Sequence, residues 1–307
     1  MPLPFSNLTY TTLNADGIRE ACAQTHGFWG GKRTGEEHTQ RTFDALARLG
    51  ERLRYVGLCD ERGALVASLK FYTVALQTPQ GVAKTLGIGA VFVPEAERGK
   101  GYGQAIVRAA MDEARALGYD AALLYSDIAP QFYARLGFVE FPALDWSADV
   151  TALPDTIPLR TRPATANDCD TLSAWYHADA ATADLFPVRS SELWRFGKWF
   201  NRADDELILN DGKRDVGYVV IGSTPQGLRL FEWAAPGIEP ECVWATVRRL
   251  TEIEGQSRIY GWLRFDRREE WMTVTPRADA IPMIAPLKDA LRVTANMKAF
   301  FGAIDHF

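Results

Sequence analysis

In the first half of the chain the hydrophobic positions switch repeatedly between the two-residue period of a strand and the 3.6-residue period of a helix. Residues 8–13 alternate as an edge strand, and Asn14-Ala15-Asp16 offers an N-cap for a helix expected to run through Gln24. Residues 27–33 read as a glycine-rich loop carrying Phe28 and Trp29. Thr34-Gly35-Glu36-Glu37 has the spacing of a capping box, so a second helix is expected from there to Leu49. Residues 55–59 and 64–76 are rich in strand formers and flank the turn Asp60-Glu61-Arg62-Gly63. After Pro79-Gln80-Gly81 another strand is expected, ending at Val93. Residues 104–117 place Ile106, Val107, Ala110, Met111, Ala114 and Leu117 on one helical face, with Gly118 at the C-cap and a buried strand at 121–125.

Pro142, Pro154 and Pro158 make residues 143–158 turn-rich, which predicts domains at 1–145 and 159–307 joined by a linker at 146–158. The second half then repeats the order of elements: strand 159–161, helices 167–177 and 190–200, strands 206–210, 216–221 and 228–234, helix 241–254, strand 258–265. Identity between the halves is slight, so order alone carries the repeat. The expected class is mixed α/β, with two domains that each hold a central, mostly antiparallel mixed sheet flanked by helices.

Composition narrows the function classes. With 307 residues, 47% hydrophobic and 24% charged, the chain has the balance of a globular protein large enough for two domains. No apolar run reaches the ~18 residues of a membrane span, and Met1-Pro2-Leu3-Pro4 lacks the features of a signal peptide. Cys22, Cys59, Cys169 and Cys242 lie far apart without CxxC spacing. They read as buried thiols of a cytoplasmic protein rather than as zinc ligands or a disulfide framework, and no metal is expected. A net charge of −5 and the lack of a basic stripe argue against nucleic-acid binding.

The chemistry concentrates in Val91-Phe92-Val93-Pro94-Glu95-Ala96-Glu97-Arg98-Gly99-Lys100-Gly101-Tyr102-Gly103-Gln104. A strand runs into three alternate glycines that open onto an amphipathic helix. Glycines tolerate positive φ and can turn successive N–H groups toward one point, where the positive end of the helix also faces. Arg98 and Lys100 add charge at the rim, and a pyrophosphate suits such a place. The dinucleotide fingerprint GxGxxG fails because Gln104 stands at its last glycine. A phosphate-binding P-loop at residues 27–32 fails at His26 and Arg33.

A second segment follows the strand at 121–125: Ser126-Asp127-Ile128-Ala129-Pro130-Gln131-Phe132-Tyr133-Ala134-Arg135-Leu136-Gly137-Phe138. In order, the two segments resemble the GNAT superfamily of N-acyltransferases. The R/Q-x-x-G-x-G/A phosphate loop of that family corresponds to Arg98, Gly101 and Gly103, and its FYxxxGF element to Phe132, Tyr133, Gly137 and Phe138. The V-x-P approach is nearly matched by Val93-Pro94, with the proline one position early. The resemblance covers roughly residues 5 to 145.

The resemblance implies acetyl-coenzyme A as acyl donor, with pantetheine lying along residues 89–93 and the pyrophosphate on the Arg98–Gln104 loop. It implies an amine acceptor on a small molecule or peptide, and Tyr133 as the group that protonates the departing thiolate. Phe132, Leu136 and Phe138 are expected in the core. No acid lies within residues 85–93. The base is left open between ordered water, Asp127, Glu36, Glu37 and the Phe307 carboxylate, with His26 and His38 ranked below Tyr133. The repeated order is similar to tandem GNAT proteins. The second half would be degenerate, because Ala234-Ala235-Pro236-Gly237-Ile238-Glu239-Pro240-Glu241 stands where the loop belongs, with two prolines and two acids. Its tryptophans, at 175, 194, 199, 233, 244, 262 and 271, are expected mostly in the core, and the half itself to shape an acceptor pocket or an oligomer interface. The rival reading is a coenzyme A-binding module without turnover.

Overall fold

The computed structural model describes residues 7–128, 130–201 and 205–306. Along the chain the strands are β1 (Thr9–Thr12), β2 (Leu53–Cys59), β3 (Leu65–Thr78), β4 (Gly81–Phe92), β5 (Ala121–Ser126), β6 (Val139–Glu140), β7 (Leu144–Asp149) and β8 (Arg160–Pro163). They continue with β9 (Phe186–Val188), β10 (Asp205–Asn210), β11 (Asp215–Thr224), β12 (Gly227–Ala234), β13 (Arg258–Trp262), β14 (Thr273–Pro276) and β15 (Ile281–Pro286). The helices are α1 (Ala15–Trp29), α2 (Gly35–Leu49), α3 (Tyr102–Ala116), α4 (Gln131–Ala134), α5 (Cys169–Ala180), α6 (Ser191–Asn201) and α7 (Pro240–Ile253). None of the described helices is long and apolar enough to cross a membrane.

Two compact units emerge, each around a mixed sheet flanked by helices, in agreement with the expected class. The first unit holds Met1–Leu76, Gln80–Glu140 and Pro282–Ala295; the second holds Gln77–Pro79, Phe141–Ile281 and Asn296–Phe307. The first sheet runs β1-β2-β3-β4-β5-β15-β6 and the second β8-β10-β11-β12-β13-β7-β14. In both, the fourth and fifth strands pair in parallel, with a helix between them in sequence: β4 with β5 around α3, β12 with β13 around α7. In both, the strand between the fifth and the last is distant in sequence from its neighbour.

The sequence reading misses those two inserted strands. Residues 144–149, expected at a turn-rich boundary, form β7, whose Trp146 is buried and whose register pairs it with β13 and β14. The last strand, β15, lies between β5 and β6 in the first sheet and buries Met283 and Ile284 completely. Such pairings are decided by long-range register, which a local hydrophobic pattern does not encode.

Local signals decide the helices. Asn14 accepts from the Gly17 N–H, and Thr34 and Glu37 complete the anticipated capping box at α2. Helix α1 does not stop at Gln24 but continues to Trp29, through Gly27. The helical penalty of about 1 kcal/mol at glycine is outweighed there by tertiary contacts, because Phe28 and Trp29 both meet Phe92 edge-on, at 5.3 and 6.0 Å between ring centroids.

On one face of the first sheet, Leu58, Leu69, Phe71, Leu86 and Leu124 pack against Ile106, Val107 and Met111 of α3. The opposite face packs Tyr55 and Leu65 against Ile18, Ala21 and Cys22 of α1. Of the seven tryptophans expected mostly in the core, Trp194, Trp233 and Trp244 are buried and Trp175, Trp262 and Trp271 are half-buried against it; Trp146 on β7 is buried as well. Of the four thiols, expected to be buried, Cys22 and Cys169 are buried whereas Cys59 and Cys242 are only half-buried.

Candidate functional site

Strands β4 and β5 pair in register from Thr85 and Ala121 to Ile88 and Leu124, and the ladder stops there although both strands continue. Just beyond, Ala90 adopts φ 50°, a left-handed conformation that non-glycine residues rarely take. The strands therefore part at 89–92, leaving the edge of β4 open beside a cleft. The cleft has a volume of about 720 Å³ and is lined by β4, the following loop, the start of α3, the end of α1 and the segment around α4.

The loop is shaped by two glycines. Gly99 (φ 78°) and Gly101 (φ 85°) lie in the left-handed region, and Gly101 is the N-cap of α3. No side chain caps this helix and its first turn holds no acid. The first N–H groups of a helix have no intrahelical acceptor, so the positive end of α3 faces the cleft with no side-chain cap and no acid in its own first turn. At Gly103 a Cβ would meet the Phe132 ring at 3.3 Å and Val93 at 3.6 Å; glycine there lets the helix seat against α4.

The structure brings Val91, Phe92, Val93, Arg98, Gly99, Gly101, Tyr102, Gly103, Gln104 and Tyr133 together around this cleft. Lys100 is not among the lining residues; its ammonium pairs with Glu97 at 2.9 Å. Arg98 turns back over its own loop, donating from Nε to the Val93 carbonyl at 3.2 Å, with its guanidinium 5.5 Å from the Phe28 ring centroid.

Tyr133 is 7% exposed and stands edge-on to Phe132 (4.8 Å) and Phe138 (5.9 Å). Its hydroxyl has no hydrogen-bond partner among the described residues. Burial, reinforced by the charge of Asp127, pushes this phenol far above its ordinary value. It therefore stays protonated through the neutral range and can donate a proton but not accept one.

The other candidates do not line the cleft. Glu37 is engaged in its capping box and Glu36 is exposed at the start of α2. Asp127 is exposed beside the cleft, felt by Tyr133 as charge. His26 meets the Arg33 carbonyl at 2.7 Å. His38 meets the Thr25 hydroxyl at 3.2 Å, and burial, followed by the positive charges of Lys70 and Arg33, lowers it to about 4. Phe307 lies outside the described residues.

Sequence reasoning did not single out Phe28, Trp29, Glu97 and Ile128 as site residues, although Glu97 lies within the expected loop segment, and it placed Phe132 in the core, whereas Phe132 also forms part of the wall. The signal for Phe28 and Trp29 was present as two adjacent aromatics before Gly30-Gly31. Reading them as loop residues hid the helical face they share.

An open strand edge, an uncapped acid-free helix start and a buried protonated phenol thus meet in one cleft. Residues 9–140 match the family model described as the acetyltransferase (GNAT) domain. The GNAT match spans both segments that line the cleft and stops before β7. No curated protein matches the chain. Solved structures similar in fold include a GCN5-related N-acetyltransferase from Anabaena variabilis ATCC 29413, with a TM-score of 0.73 and 14% identity over 92% of this chain and 73% of the other. A conserved protein from Enterococcus faecalis V583, titled a probable N-acyltransferase, aligns with a TM-score of 0.73 and 11% identity over 91% and 72%. Eis1 from Mycobacterium abscessus aligns with a TM-score of 0.62 and 15% identity over 91% and 74%. At such identities these likenesses speak for the fold.

Proposed function

We propose that the protein is an acetyl-coenzyme A-dependent N-acetyltransferase acting on a primary amine of a small molecule or peptide. The observation that carries this reading is the uncapped, acid-free start of α3, turned by Gly99 and Gly101 onto the cleft that also holds Tyr133. The residues fit the donor: backbone N–H groups at 101–104 would receive the pyrophosphate, and the unpaired edge of β4 would receive the pantetheine amides as an added strand. Acetyl-coenzyme A supplies a thioester, whose carbonyl carbon forms a bond to the amine nitrogen as its bond to sulfur breaks. The Tyr133 hydroxyl is the proton donor available to the sulfur. No carboxylate of β4 is available to the incoming ammonium, so its proton leaves through solvent.

The second unit is, in this reading, a degenerate copy of the first, which makes the chain a tandem GNAT protein. Helix α7 begins with Glu239 as N-cap, Pro240 at its first position and Glu241 in its first turn. The nearby cavity, about 240 Å³, is lined in part by Trp233 and by Arg267, whose guanidinium lies 3.1 Å from the Trp233 ring centroid and donates to Asp179. Such a surface offers a pyrophosphate acids where it needs donors.

Calorimetric titration with acetyl-coenzyme A tests the reading, in wild type and in Gly101→Glu, with thiol release measured over a panel of amines. Micromolar binding that disappears in the variant supports it. A wild type that binds acetyl-coenzyme A but releases thiol with no amine favours the binding-module alternative, and a wild type that does not bind ends both.

A further inference from the structure

The sheet face opposite α3 carries a lysine that no carboxylate matches among the described residues. Lys70 on β3 is half-buried and sits directly across from Tyr55 on β2, 5.8 Å from that ring centroid. It forms no ion pair or hydrogen bond with any described residue. Arg33, which precedes α2, donates from Nη2 to the Trp29 carbonyl, but its Nε is buried without a partner. The Ser68 hydroxyl, two residues from Lys70 on the same face, is also buried without a partner. The Arg33 carbonyl meets the His26 ring, that ring lies 5.8 Å from the His38 ring, and the charges of Lys70 and Arg33 both depress the His38 imidazole, while burial drives Lys70 itself down to about 8.

A buried cation of the second unit is matched by carboxylates. Arg189 in the second unit gives four hydrogen bonds to Glu232 and Asp305, at 2.6 to 2.8 Å. A buried donor without an acceptor costs about 1–3 kcal/mol, so several donors gathered without one point to an acceptor that comes from outside. The spot also adjoins the reaction centre. Strands β3 and β4 are joined by Pro79 and Gln80 alone and so run antiparallel; counting back from that turn brings Lys70 level with the segment around Gly89, where β4 and β5 part. The last turns of α1 connect the two places, since Phe28 and Trp29 line the cleft while His26 holds the Arg33 carbonyl.

We propose that Lys70 and Arg33 seat a carboxylate of the acceptor, so that the amine acylated here belongs to a molecule that also carries a carboxylate. The acceptor assignment rests on the acyltransferase reading above; the anion seat does not. The test is a titration of the full chain with N-acetylglycine, N-acetylglycinamide and inorganic phosphate, followed through the His38 ring resonances, alongside calorimetry with acetyl-coenzyme A. N-acetylglycine is expected to shift His38 saturably and the amide to leave it unmoved. Lys70→Met, and independently Arg33→Gln, are expected to weaken the carboxylate at least about tenfold without changing acetyl-coenzyme A affinity. In thiol release the same variants are expected to raise KM for amino acids and leave kcat nearly unchanged. A His38 ring indifferent to N-acetylglycine, in a protein that binds acetyl-coenzyme A, overturns the anion seat and spares the acyltransferase reading. A carboxylate that binds while acetyl-coenzyme A does not supports the anion seat and overturns the acyltransferase reading. Phosphate binding in preference to the carboxylate overturns the acceptor assignment.

Discussion

Helices α3 and α7 occupy the same place in their sheets, each linking the fourth strand to the parallel fifth, yet they begin in opposite ways. Helix α3 starts on a left-handed glycine without a side-chain cap or an acid. Helix α7 starts on Glu239, Pro240 and Glu241, so one N–H is missing and two carboxylates sit at the positive end. Strand order is maintained by packing a sheet against helices, which many sequences satisfy. A place for an anion depends on a handful of backbone donors and is lost with a few substitutions.

The largest expected effect erases the difference from the first unit's side. Gly101→Glu places a carboxylate at the start of α3 and a side chain at φ 85°; acetyl-coenzyme A affinity should fall roughly a thousandfold by calorimetry. Tyr133→Phe should lower kcat about a hundredfold while donor affinity stays within about twofold, which separates proton donation from binding. The pH profile of kcat in that variant should keep its shape, because the phenol does not titrate in the working range.

His38 sharpens the comparison through stability. Its folded value of about 4 lies below the unfolded 6.5, so between these values the unfolded chain holds the extra proton. Stability is then complete above about pH 6.5 and is lost as pH falls toward 4, by roughly 3 kcal/mol at most. His38→Gln should flatten that acid limb in chemical denaturation. Thr34→Ala removes the cap that closes α2 and should cost about 1 kcal/mol with donor affinity untouched, unlike any change at α3. Smallest of all, Pro240→Ser with Glu241→Gln should alter melting by less than about 1 kcal/mol and confer no acetyl-coenzyme A binding, because Arg267 and Trp233 still line the nearby cavity.

What the sequence revealed divides along the same line. The Arg98–Gln104 loop, Tyr133 and the Thr34–Glu37 box were legible because each is a local pattern whose geometry follows from its own few residues. Phe28 and Trp29 were not, because a helix through Gly27 is stabilised by Phe92, which lies far along the chain. Lys70 was invisible for a related reason: one lysine in a strand reads as a solvated charge until Tyr55 of the neighbouring strand is brought beside it. The places of β7 and β15 depend wholly on partners remote in sequence.

Strand β15 carries a consequence for synthesis. A ribosome that has released the GNAT-matching segment at residue 140 has not yet made the strand that fills the gap between β5 and β6. Until residues 281–286 emerge, β5 waits with an unpaired edge of buried apolar side chains, an invitation to wrong pairing in the nascent chain. The unit bearing the cleft is begun by its first strands and completed only when β15 is made, so its cleft should become stable only after residues 281–286 have been translated.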